Sequence, residues 1–106
     1  LVLFTQTVEK VYTIFGENAF KRINSDSSRE NSINRAIMDV LLVSVVPYSL
    51  SKLQLRAKLI KEKFESLVKD DANFRNSIQI ATSDTKVLNY RLNTWCNTLK
   101  LIMNEI

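Results

Sequence analysis

At 106 residues, with 45% apolar and 25% charged side chains and a net charge of +4, the chain suits one domain and is too evenly mixed for a disordered or membrane-embedded one. One glycine and one proline leave too few turn residues for a sandwich or barrel, so helices with polar connections are expected. One cysteine and no histidine exclude an internal disulfide, a Cys/His zinc site and the usual activation of a Ser or Cys nucleophile.

The spacing of apolar residues predicts an all-α fold, a compact bundle of about five helices in a single domain over residues 1–106. In the first helix Phe4, Val8, Val11 and Phe15 recur at steps of four, three and four. Gly16 is placed to end it, because glycine enters the left-handed cap conformation cheaply. Asn24 to Asn31 is rich in Ser, Asn and Asp and reads as a loop, with Ser27 and Glu30 spaced as a capping box.

The second helix is expected from about Arg29 to Val46. Ile33, Ile37, Val40, Leu41, Ser44 and Val45 fill one side while Met38, Leu42 and Val46 cover much of the rest, which marks a central, buried element. A strand over Val40–Val46 is the rival reading, and the helical period on its flank disfavours it. Pro47 ends the segment.

The third helix, capped by Ser49, carries Leu50, Leu53, Ala57, Ile60, Phe64 and Leu67 at steps of three and four. Leu55 and Leu59 fall off that seam as a second apolar strip. They either meet another helix of the bundle or form an interface with something outside it. A short fourth helix, capped by Asp70 or Asp71, turns Phe74, Ile78 and Ala81 inward. Thr82-Ser83-Asp84 makes the next turn and cap, and the last helix aligns Leu88, Leu92, Trp95, Leu99, Ile102 and Ile106.

Little catalytic chemistry is available to such a chain. A single glycine rules out phosphate-cradling glycine loops, so no cofactor is expected. Asp70-Asp71 is the one adjacent carboxylate pair, and its place at a helix start fits capping better than catalysis. Cys96 lies beside Trp95 in an apolar stretch, as a packing residue would. The basic surplus centred on Lys52, Arg56, Lys58, Lys61 and Lys63 fits either a solvated helix face or a DNA contact. Asn34 and Arg91, polar residues on otherwise apolar segments, are candidates for structural anchors or for ligand contacts. No apolar run is long enough to span a bilayer, and the lone cysteine suits a reducing, cytoplasmic setting. The apolar first and last residues suggest a fragment of a longer polypeptide, and self-association stays open.

Several strings carry a family likeness: Phe15-Gly16-x-x-Ala19-Phe20-Lys21-Arg22, then Ile33-Asn34-Arg35-Ala36-Ile37-Met38-Asp39, Asp71-x-x-Phe74, and Thr82-Ser83-x-x-Lys86-Val87-x-x-x-Arg91. Together they resemble, in order and over nearly the whole chain, the helical C-terminal region of GmrSD-type restriction proteins, which carry a ParB-like, sulfiredoxin-like domain at the N-terminus. The resemblance implies a bacterial anti-phage or restriction factor whose nuclease and nucleotide hydrolysis belong to other domains. The family's Asp-Gly-Gln-Gln-Arg motif and its His-containing nuclease motif have no counterpart here, so no catalytic residue is carried over. The rest of the parent polypeptide is then the expected partner. Asn34, Arg35, Asp39, Phe74, Thr82, Lys86 and Arg91 would serve helix packing and interdomain contact, with Lys86 and Arg91 best suited to a phosphate.

Overall fold

A computed structural model describes residues 2–21, 33–79 and 84–104. Every regular element among them is helical. α1 spans Val2–Phe15, α2 Arg35–Ser44, α3 Leu50–Leu55, α4 Ala57–Asp70, α5 Ala72–Gln79 and α6 Thr85–Asn104, with a short 3-10 turn at Gly16–Asn18. The Cα radius of gyration of 13.1 Å matches the roughly 13 Å of a compact domain of about 100 residues.

Local chemistry sets most helix ends. Gly16 takes φ +70°, the left-handed conformation that stops α1. Asn34 caps α2, its side chain accepting from the Ile37 N–H at 3.0 Å. Ser49 does the same for α3 through the Lys52 N–H, and Asp71 for α5 through the Phe74 N–H at 3.0 Å. Asp84 accepts from the Lys86 N–H at 2.9 Å at the start of α6. Asp71 is therefore a capping carboxylate.

The structure departs from the sequence expectation in several places. The third predicted helix is two, α3 and α4, broken at Arg56 with φ −114° and ψ 10°. No glycine or proline marks the break. It lets α3 pack on α1 while α4 engages α1, α5 and α6. The break also resets the phase of the buried line, which in α4 runs Ile60, Phe64 and Val68, leaving Leu67 half-buried. There are thus six helices rather than five. α2 stops at Ser44, short of the expected Val46, because the residue before a proline is pushed out of the α region and the turn over Val45–Pro47 absorbs the change. In α6 the buried line is Arg91, Trp95, Leu99 and Ile102, and Leu88 is 41% exposed instead of inward. α2 begins at Arg35 and not near Arg29, because Asn34 is extended at φ −90° and ψ 116° and caps it, and Ile33, expected inward, is 61% exposed. The capping box Ser27–Glu30 and Ala81, Thr82, Ser83 and Ile106 lie outside the described residues.

The core centres on Phe64. Its ring meets Phe15, Phe74 and Trp95 edge-on at centroid distances of 5.5, 6.0 and 4.8 Å, tying α4 to α1, α5 and α6. Such pairs add about 0.5–1.5 kcal/mol each beyond their buried area. Val11, Ile37, Leu41, Leu53, Ile60 and Leu99 close around them. Trp95 also carries a polar tie: its indole N–H donates to the Ser44 hydroxyl at 3.0 Å, and that hydroxyl donates to the Leu41 carbonyl. This joins α6 to α2.

Candidate functional site

Asn34 is tied into the fold by three hydrogen bonds. Its backbone N–H donates to the Phe20 carbonyl at 2.7 Å, its side-chain oxygen caps α2, and its side-chain N–H donates to the Ile78 carbonyl at 3.1 Å. One amide thus fastens the chain after α1, the start of α2 and the end of α5. These bonds give Asn34 a structural place in the fold.

Arg91 is different. It is only 5% exposed, and its Nε has no hydrogen-bond partner. A guanidinium stays charged inside a protein, and leaving one buried donor unsatisfied costs about 1–3 kcal/mol. Arg91 lines a cavity of about 120 Å³ between α2 and α6, whose other walls are Asp39, Val40, Val43, Leu88 and Leu92. Val43, 53% exposed, and Leu88 stand partly in solvent on this cavity's lining. Asp39 is exposed too, and no ion pair joins it to Arg91. Arg35, one turn before Asp39, is the first residue of α2 and is exposed.

The remaining basic candidates do not converge on this cavity. Lys52 is exposed on α3, Arg56 is half-buried at the α3–α4 break, and Lys58 and Lys63 are exposed on α4. At 3.6 residues per turn, Lys58 and Lys63 lie about 140° apart around the helix. Lys86, in the first turn of α6, lines a wider and more open cavity of about 330 Å³ with Asn73, Asn76, Ser77, Val87 and Tyr90. Sequence reasoning missed these amides and Tyr90, since nothing in their spacing sets them apart from an ordinary polar helix face.

Leu55 and Leu59 do not form one strip. Leu55 is 74% exposed at the end of α3, whereas Leu59, beyond the break, packs against the core. Burial pushes the Cys96 thiol above its ordinary range, which lowers its thiolate fraction and suits packing. Among the described residues there is no cluster of three or more metal-binding side chains, and no helix long and apolar enough to cross a membrane.

Comparison of the chain with protein-family models, curated proteins and solved structures finds no match.

Proposed function

We propose that this chain is the non-catalytic helical C-terminal domain of a restriction or phage-defence protein of GmrSD type, acting in the bacterial cytoplasm. It would pack on a ParB-like nuclease or nucleotide-hydrolysing domain and hold it in order. The observation that carries the reading is where the resembling residues fall. Gly16 stops α1, Asn34 ties three segments together, Phe74 is fully buried against Phe64, and Arg91 is buried at the α2–α6 cavity. Those are scaffold positions, spread over the molecule and not gathered around a reacting atom. Leu55, 74% exposed on α3, is the surface position at which this reading places contact with a neighbouring domain.

The same exposed leucine favours a second reading, a helical protein-interaction module unrelated to restriction. The two readings separate on the open reading frame: an Asp-Gly-Gln-Gln-Arg string encoded ahead of Leu1 supports the first, and a frame without it removes that reading. The spread of Lys52, Lys58, Lys63 and Lys86 over three helices weakens a direct DNA role. A salt titration of duplex binding decides it, because direct phosphate contacts lose affinity steeply with salt.

A further inference from the structure

We propose that the cavity between α5 and α6 binds a small aromatic monocarboxylic acid, with its ring inward and its carboxylate at the rim. One side of each helix lines it: Asn73, Asn76 and Ser77 on α5, and Lys86, Val87 and Tyr90 on α6. Residues three and four apart share a helix face, which is how each set comes to border one space. That space measures about 330 Å³, at the small end of the range for small-molecule sites.

The lining narrows the ligand. Its surface is mostly carbon, so the body of the ligand has to be apolar. The Ser77 hydroxyl is buried and already donates to the Phe74 carbonyl, which leaves Ser77 as part of the floor. Tyr90 is 40% exposed and offers its ring to a second aromatic group, a pairing that gains more than its buried area. A rigid ring also loses little freedom on entering so open a site, where a flexible chain would lose more. Lys86 is exposed and is the single cation of the lining, in which there is no acid. Asp84, the nearest carboxylate in sequence, lies outside the lining and caps α6 through the Lys86 N–H. One ammonium at the rim matches one negative charge, and it is too little to hold a polyphosphate. The exposed amides of Asn73 and Asn76 can accept from a ring N–H or hydroxyl.

The test is a titration of the whole ¹⁵N-labelled chain at neutral pH and constant ionic strength, following amide NMR signals. Indole-3-acetate, tryptamine, hexanoate and adenosine monophosphate are added separately. Tryptamine keeps the indole ring and reverses the charge, whereas hexanoate keeps the charge and lacks a ring. Indole-3-acetate should shift signals of residues 73–77 and 86–90 saturably. Half-saturation is expected at about 1 mM, as for a ligand of about a dozen heavy atoms. Tryptamine should bind about fivefold more weakly, and Lys86→Gln, at an exposed position, should erase that difference. Tyr90→Leu, which keeps apolar bulk and removes the ring, should weaken indole-3-acetate about threefold. No saturation by about 10 mM overturns the proposal, as does a shift centred elsewhere. Hexanoate or adenosine monophosphate binding as tightly as indole-3-acetate overturns it too. So does a Lys86→Gln chain that still prefers the acid to the amine, or a Tyr90→Leu chain that binds unchanged.

Discussion

The indole N–H of Trp95 donates to the Ser44 hydroxyl at 3.0 Å, a buried bond between residues fifty-one positions apart in the chain. It makes the α2–α6 contact specific where apolar packing alone would let the helices slide. Replacing Ser44 by Ala leaves the indole N–H buried without an acceptor, which should cost about 1–3 kcal/mol. Trp95→Phe removes the donor and also opens a cavity beside Phe64. The double variant should be less unstable than the sum of the two by about 1 kcal/mol. Urea unfolding of the four proteins measures this coupling.

Asn34 links three segments, so its removal should be felt beyond one helix. Asn34→Ala loses both the α2 cap and the bond to the Ile78 carbonyl, a loss of about 2 kcal/mol. Asn34→Ser keeps a capping oxygen and should recover roughly half of it. Amide hydrogen exchange should quicken in both α2 and α5 of the Ala variant, and acceleration confined to α2 would show that the tie to Ile78 contributes nothing.

Gly16 offers a test of backbone conformation free of crowding. A Cβ added there meets no atom within 4 Å, so the cost of Gly16→Ala is that of holding φ at +70°. That cost should be about 1–2 kcal/mol, and Gly16→Asn should cost less because Asn tolerates the left-handed region. Thermal denaturation compares them, and an Ala variant as stable as the parent would contradict the assigned conformation.

Cys96 makes a pH prediction. Burial raises its pKa above the ordinary 9.0, so the folded state prefers the neutral thiol. Its contribution to stability is fully present below pH 9.0 and is lost as pH rises through the higher folded value. The stability difference between the parent and Cys96→Ala should be flat up to that pH and then shift against the parent. At neutral pH the folded thiol should react slowly with disulfide reagents, and unfolding should accelerate the reaction.

Much of this architecture was legible from periodicity and from the few special residues. Gly16, Ser49, Asp71 and Asp84 mark helix ends by mechanisms that act within a few residues, so the sequence displays them. The break at Arg56 is different in kind. It arises because α3 and α4 face different neighbours, a tertiary cause with no local marker, and it undid both the continuous seam and the Leu55/Leu59 strip. In α6 the apolar stripe pointed to Leu88, while the line that is buried passes through Arg91. A charged residue on a buried line is invisible to a hydrophobicity pattern. The sequence marked Arg91 and Asp39 one by one, but not the cavity they share, whose walls come from two helices far apart in the chain.

The central claim is that this helical unit works by contact and not by chemistry. Calorimetric titration of the chain into a ParB-like domain of a GmrSD-type protein tests it most directly. The account predicts a defined complex, weakened about tenfold by Leu55→Glu, a change of about 1.4 kcal/mol in binding with folding stability shifted by no more than about 0.5 kcal/mol. No heat of association, or a complex that Leu55→Glu leaves unaltered, would contradict it.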